Sequence, residues 1–403
     1  MCYNRRMALE LNKLTESVQA LSANAAQRLT ELGERLPAAL AVLNAIGLAD
    51  DELRRKVDAA LKLRWAGAIP TDEPINASFP LPPHPARANV IAADGSQIYP
   101  DRHGVSLYYL INVGSIIFRH GLAEAPSTNS QPQVFYEDAD LYEEDGGQIP
   151  SALIDAERDV RELGALAGLA AAEAGAAPTV TLLDNGLLLY ISLQTQNQRL
   201  VDEVLRGYLE QLDALKKSGA AVAGVVDRPR AASVVRLLRL STLKPEEITE
   251  EELRRLGPFQ HLTDGMLFGA LTLGARSALF VNASPANLDR YKPKGHTVYF
   301  FYLNAGRAGK ESILRVEVPE WVAQDKARLD LVHAAIVEQS QVTDGFPYVL
   351  MRAHELAVVT VAERREFDQM ITGALIRRGL SPSISQKAQG KAWTGAGKRR
   401  YPK

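Results

Sequence analysis

Two short apolar runs, Val90-Ile91-Ala92-Ala93 and Val180-Thr181-Leu182-Leu183, each end in an aspartate, Asp94 and Asp184. Asp94 is followed by Gly95 and Asp184 by Asn185-Gly186, so both runs stop at turn-forming sequence. An Ala-rich helical pattern at 152–174 lies between them. A second, at about 196–218, separates the later run from a further apolar strand at 221–226. Strand, helix, strand is the parallel crossover unit. An open sheet of that kind binds ligands outside the carboxyl ends of its strands. Turn chemistry alone would explain either aspartate. Two of them at equivalent strand ends fit a shared site, where Mg²⁺ or Mn²⁺ would relieve the repulsion between the carboxylates.

The rest of the chain is organised around this unit. Residues 105–113 and 115–119 read as two more strands, with a turn or bulge at 112–114, the start of an antiparallel meander. The expectation is therefore an α/β fold with a mixed sheet flanked by helices. Upstream, Leu11, Leu14, Val18 and Leu21 repeat at helical spacing, and Leu29, Leu32 and Leu36 extend the stripe. This predicts a helix from Met7 to Ile46, broken near Pro37, and a second at 50–65. The pair either packs on its own core or serves as a dimerisation arm. Pro70, Pro74, Pro80, Pro82, Pro83 and Pro85 mark an extended connector. Residues 137–147 read as loop, 246–256 and 265–271 as helices, and 277–282, 297–303 and 312–318 as strands. The last helix is expected at 348–363.

Composition excludes several classes of function. With 403 residues, 46% of them hydrophobic and 23% charged, the chain buries a sizeable core. One cysteine, Cys2, excludes a disulfide framework, a zinc site with several cysteine ligands and a catalytic thiol. The same feature, with no secretory pattern, leads to an expectation of the reducing cytoplasm. No apolar run is long enough to span a bilayer. Gly-Lys-Ser/Thr, GxGxxG and GxSxG patterns are missing, so neither ATP binding nor an esterase elbow is expected. Net charge is −2, but from Ile376 onward Arg377, Arg378, Lys387, Lys391, Lys398, Arg399, Arg400 and Lys403 occur with no acid, and Trp393 and Tyr401 lie among them. Such a tail is either a solvated end or a phosphate-binding segment with stacking aromatics.

Two further candidates come from helices. The helix at 152–174 carries Asp155, Glu157, Asp159 and Glu162, and spacing alone does not choose among them. His354 shares a helical face with Leu350 and Val358. That makes it either a packed core histidine or a metal ligand or proton carrier.

The order of these pieces resembles the NurA nuclease family. The resemblance is carried by Ile91-Ala92-Ala93-Asp94-Gly95-Ser96-Gln97, the Arg158–Glu162 helix, Leu182-Leu183-Asp184-Asn185-Gly186 and Gly224-Val225-Val226-Asp227-Arg228. Leu262-Thr263-Asp264-Gly265-Met266-Leu267 and Gly345-Phe346-Pro347-Tyr348 through Ala353-His354-Glu355-Leu356 complete it. It implies an RNase H-like fold with an N-terminal helical extension. The corresponding domains are a helical arm at 1–68, a linker at 69–88, a nuclease domain at 89–375 and a basic tail at 376–403.

The implied activity is Mn²⁺-dependent hydrolysis of DNA, with Mg²⁺ as an alternative ion and two ions in the site. It is of 5′–3′ exonuclease and single-strand endonuclease type, in double-strand break repair. The implied partners are DNA, a HerA-type hexameric ATPase and a second copy of the chain, with no membrane. By position, Asp94, Glu162, Asp184 and His354 match the family's metal-binding residues, with Glu157 as the fallback for Glu162. Asp94 would bridge both ions, and Arg228, Arg230 and Tyr348 would contact DNA. Phe346 stands where the family has a tyrosine, and Asp227 where a lysine often follows the strand. Those two departures keep alive a non-catalytic DNA-binding or ATPase-docking subunit. A phosphomonoesterase would use the same carboxylates.

Overall fold

The computed structural model describes residues 10–144, 146–189 and 198–380. Strands β1 (Ala88–Ile98), β2 (Tyr109–His120) and β3 (Ser127–Phe135) form an antiparallel meander. Helix α3 (Ser151–Ala172), following α1 (Thr15–Ala45) and α2 (Asp51–Lys62), then crosses to β4 (Thr179–Leu183), which lies parallel to β1. Helix α4 (Gln198–Ser218) leads to β5 (Ala221–Val226), parallel to β4. The resulting order β3-β2-β1-β4-β5 is that of an RNase H-like sheet. β4 is buried along its whole length, as an apolar strand between parallel neighbours must be.

The sheet continues past β5 through antiparallel β8 (Ile313–Pro319), β7 (Val298–Asn304) and β6 (Phe280–Asn282), to the strand Ala68–Pro70 at its far edge. Two hydrophobic cores follow from this length. One packs α3 and α4 through Leu163, Leu166, Leu209 and Leu212, and gathers residues of α6 (Lys326–Gln341) and α7 (Tyr348–Ala357). The other joins α1, α2 and α5 (Ser233–Thr242) to Phe280, Phe300 and Tyr302. Ala39 and Leu43 of α1 are buried in it, whereas Leu14, Val18, Leu21 and Leu29, nearer its start, are exposed.

Several sequence expectations need correction. α1 runs unbroken through Pro37. Leu36, Ala39, Leu40 and Leu43 pack against the second core and carry the helix across the lost hydrogen bond. β1 does not stop at Asp94 but continues to Ile98, paired with β2 throughout. β2 is one strand, not two. Its Gly114 is there because α7 passes close by: a Cβ would lie 2.6 Å from the Leu356 carbonyl carbon and 2.8 Å from the Ala353 oxygen. β3 is a polar, largely exposed edge strand containing Pro132. The final helix is two. α7 ends at Ala357, and α8 (Val361–Arg377) starts afresh under a Thr360–Glu363 capping box. The 137–147 stretch holds a short helix, Asp138–Leu141. In the proline-rich connector, Ser78–Phe79 pairs with Arg276–Ser277. Cys2, Met7 and the tail residues from Lys387 to Lys403 lie outside the described residues.

The approach of α7 yields a direct test. Gly114→Ala should lower stability by about 1–3 kcal/mol, the usual cost of overpacking a closed interface, measured by chemical denaturation. An unchanged midpoint would mean that α7 is free to move away from β2.

Candidate active site

Asp94 lies one residue past the last parallel pair, Ala93 with Leu183, and Asp184 follows that same pair on β4. Both aspartates therefore emerge where the β1–β4 ladder ends. Asp94 turns towards α7, where its Oδ2 meets Nδ1 of His354 at 2.7 Å. Its other oxygen accepts the Gly95 N–H at 2.8 Å. His354 is not the packed core residue that its helical face suggested. Leu350 and Ala353 carry the buried face, and the His354 side chain is 61% exposed. Because Nδ1 faces a carboxylate, it carries the proton, and Nε2 is left to accept or hold a second one.

The next residue along β1 faces the other side of the sheet. A Cβ on Gly95 would lie 2.5 Å from Glu162 Oε1 and 2.6 Å from Arg158 Cγ, so glycine is what lets α3 close onto the strand here. Glu162 is 8% exposed and pairs with Arg158 at 3.0 Å. Arg158 also pairs with Asp159 at 2.7 Å and donates to Gln97 at 3.0 Å. Gln97 and Tyr99 both donate to Asp155.

These charges act on one another. Asp184 is exposed at its surface, yet partial desolvation by the surrounding atoms, with Asp94 next, pushes its carboxyl up to about 6, while His354 opposes the shift. Burial and Asp159 hold Glu162 well above the usual carboxylate range, with Arg158 opposing and Asp94 and Asp184 adding to the rise. Asp159 is raised chiefly by burial. For Arg158, burial works against the charge, but Asp159 and Glu162 outweigh it and raise the pKa. Asp94, Asp159, Glu162 and Asp184 thus share one neighbourhood.

Among the described residues, no three His, Cys, Asp or Glu side chains are grouped tightly enough to grip an ion as they stand. Arg158 holds Glu162 and His354 holds Asp94. The donor set nevertheless suits a hard divalent cation: it is rich in carboxylate oxygen, and its members raise one another's pKa.

Other expected residues fall elsewhere. Glu157 is engaged by the Tyr109 hydroxyl at 2.9 Å and by Arg161 at 2.6 Å, away from the cluster. Arg228 is 93% exposed, at the mouth of the β5 loop, with φ +45°. Arg230 is exposed on the same loop. Tyr348 is not brought to the cluster: it stands at the opposite end of α7 from His354, beside the Phe118 ring at 5.9 Å. Phe346 lies near the Asp227–Arg228 loop, together with Thr263 and Gly265.

Sequence reasoning missed Arg158 as a member of the cluster and left Asp159 as one of four helix acids among which spacing did not choose. It also missed the groups that hold the loop after Asp184. There, buried Glu317 accepts the Leu187 N–H at 2.9 Å. Arg315 clamps Glu317 at 2.8 Å and donates to the Tyr302 hydroxyl at 3.2 Å. Tyr302 in turn donates to buried Asp264 at 2.7 Å, which accepts the Val234 and Val235 N–H groups at the start of α5. The available signal was Arg315 and Glu317 on one face of an otherwise apolar strand.

Over residues 88–359 the sequence matches the model of the NurA domain family. Among solved structures, the chain is similar to the crystal structure of the NurA nuclease from Sulfolobus solfataricus, with 14% identity and a TM-score of 0.44 over 81% of this chain and 92% of that one. It is similar to the crystal structure of NurA with manganese, with 11% identity and a TM-score of 0.40 over 89% and 98% of the two chains. It is also similar to the catalytic domain of human Endonuclease V, with 14% identity and a TM-score of 0.32 over 80% and 98%. No curated protein matches it.

The raised Asp184 carboxyl fixes the sign of a stability effect. Its pKa is about 6 in the fold against an ordinary 3.8, so the ionised form is disfavoured in the folded state. That penalty is absent below about pH 4, grows between pH 4 and 6, and is complete above. In EDTA, Asp184→Asn should therefore melt higher than the parent at pH 7–8, and the gap should close as pH falls towards 4.5. A gap independent of pH in thermal melts would mean that the Asp184 carboxyl is not raised in the fold.

Proposed function

The chain belongs to the NurA domain family, and from that premise we propose that it is a metal-dependent deoxyribonuclease. What supports this reading is that Asp94, Glu162 and Asp184, borne on three different elements, act on one another's carboxyls, with His354 in contact with Asp94. Asp94, Glu162 and Asp184 would hold Mn²⁺, or Mg²⁺ in its place, as a pair of ions, with His354 completing the set through Nε2. Bound divalent cations would lower the pKa of a water and neutralise charge on the phosphodiester.

The chain's own groups do the rest. Arg158 pairs with Glu162 and Asp159 on its own helix, and its hydrogen bond to Gln97 ties α3 to β1. Asp94 fixes the tautomer of His354, whose Nε2, as the alternative to holding an ion, would give a proton to the leaving 3′ or 5′ oxygen. Arg228 and Arg230 lie exposed after β5 and would contact the DNA backbone. Tyr348 has weaker support for that role, given its place beside Phe118.

In the same reading the nuclease domain spans 89–375, with the helical arm at 1–68, the connector at 69–88 and the basic tail at 376–403. The substrate is DNA ends, cut by 5′–3′ exonuclease and single-strand endonuclease action in double-strand break repair. A HerA-type hexameric ATPase is the partner. Leu14, just before α1, and Val18, Leu21 and Leu29, exposed along its first half, support a homodimer contact. Among the described residues no helix is long and apolar enough to cross a membrane, and the cytoplasm is the compartment we propose.

End-labelled linear single- and double-stranded DNA, incubated with Mn²⁺, Mg²⁺ or EDTA, tests the reading. Shortening with the metals and none in EDTA is expected, and Asp94→Asn should slow it by more than about a hundredfold. Full activity in Asp94→Asn would overturn the site. Absence of cleavage with either metal, even with an ATPase partner present, would point instead to a docking or DNA-binding subunit.

A further inference from the structure

A cavity of about 440 Å³ opens beside the acidic cluster, outside the carboxyl ends of β4 and β5. Asp155 and Asp159 of α3 form one wall, and Asn185 and Gly186, directly after Asp184, form the next. Asn282 of β6 and Ser284 stand on a further side, and Arg230 belongs to the lining as well. Between these polar groups the surface is apolar, from Ala152, Leu188, Val226 and Pro229. Apolar walls with a few converging polar groups, in a volume of roughly 300–1,000 Å³, are the usual form of a small-ligand site.

Asn282 says more about the occupant. The residue is only 8% exposed. Its Oδ1 accepts the Ser284 N–H at 2.9 Å. Its Nδ2 has no hydrogen-bond partner among the described residues, yet it is not among the buried atoms left without one. The amide N–H₂ of an otherwise buried side chain therefore opens onto the cavity. By contrast, Arg315 and Glu317 on the cavity's floor are engaged by each other, by Tyr302 and by the Leu187 N–H.

We propose that this cavity is a base-binding subsite, which takes the nucleotide next to the cleaved phosphodiester after it has left its stack. The inference rests on the nuclease reading and deepens it. Asp155 and Asp159 disfavour a phosphate inside the cavity, while the Arg230 cation suits one at its edge. A base presents ring nitrogens and carbonyl oxygens to the Asn282 donor, and its faces to the apolar walls. Because Asp159 belongs to both the cavity and the acidic cluster, a strand with its scissile phosphate at Asp94 and Asp184 would lay its neighbouring nucleotide here. Unstacking costs least in single strands and frayed ends, so the subsite favours those substrates.

Two variants and one substrate series test this. Fluorescein-labelled single-stranded oligonucleotides, each with one abasic nucleotide at a successive position, are titrated with the full chain in Ca²⁺ and followed by anisotropy. Cleavage of the same strands in Mn²⁺ is measured alongside. At one position the abasic nucleotide should weaken binding by roughly tenfold, the scale of one base's stacking. Ala152→Trp, which fills the cavity, should weaken binding of the intact strand by a similar factor and be indifferent to the abasic nucleotide. Asn282→Ala should lose on the order of threefold to tenfold while its melting temperature stays within a few degrees of the parent's. If the parent cleaves DNA but is indifferent to the abasic nucleotide at every position, the subsite is wrong and the nuclease reading stands. The same holds if neither variant changes binding. If the parent neither binds nor cuts any strand, both readings fall together.

Discussion

Asp94, Asp159, Glu162 and Asp184 repel one another, and the chain around them is built to withstand that repulsion. Each carboxylate that is drawn inward has a donor against it: His354 meets Asp94, and Arg158 sits between Asp159 and Glu162. Asp184 is held by no ion pair among the described residues, and desolvation, then Asp94, push its carboxyl up to about 6. These donors come from α3 and α7, different elements from those that carry Asp94 and Asp184 and separated from each other by a little under half of the chain. The backbone must first bring the two helices close. Gly95 permits the approach of α3 and Gly114 that of α7, because a side chain at either position would collide with the helix above it. A divalent cation would relieve in one place the repulsion that the protein spreads over Arg158 and His354.

The loop after Asp184 has a separate support. Glu317 and Arg315, both 5% exposed, sit in the first strand beyond the parallel unit. Burying an ion pair brings little net stability and can cost some. What this one does is geometric. Glu317 takes the Leu187 N–H, and Gly186 leaves room for it, since a Cβ there would lie 2.8 Å from Glu317 Oε2. Through Tyr302 and Asp264 the same chain of hydrogen bonds reaches the start of α5. The antiparallel half of the sheet therefore acts as a scaffold for Asn185 and Gly186. It also explains why Thr263-Asp264-Gly265, far from Asp184 in sequence, belongs to the same structural unit.

The parallel core was legible because burial on both faces forces a continuous apolar run. Residues 179–183 and 221–226 could hardly read as anything but central strands, and they are. β3 was not legible, since an exposed edge strand is under no pressure to be apolar, and Ser127-Thr128-Asn129-Ser130 reads as loop. Gly114 was misread as a turn because its reason lies in a helix more than two hundred residues away. Spacing left His354 open between core and site for a related cause. Helical spacing gives the face of a residue but not what that face meets, and here α7 lies so that His354 reaches past its buried stripe to a strand end. Asp94 and Asp184 could be picked as a pair from sequence. Their helix partner could not be chosen from spacing, because Asp155, Glu157, Asp159 and Glu162 differ only in which strand residue stands opposite.

That last distinction is set by parity along β1. Successive residues of a strand face opposite sides of the sheet, so Asp94 looks to α7 and Gly95 to α3. Beyond Ala93, β1 has no parallel neighbour, because β4 has ended. Groups from both faces can therefore reach round that end, which a strand flanked on both sides for its whole length would prevent. A slip of one residue in the β1–β2 register would turn Asp94 to the α3 face and leave Ala93 or Gly95, neither with a carboxylate, facing His354. The long pairing of β1 with β2, from Ala88 with His120 to Ile98 with Leu110, is what excludes that slip. The acidic site thus depends less on any one carboxylate than on an eleven-residue strand being held in one register while its parallel neighbour stops halfway.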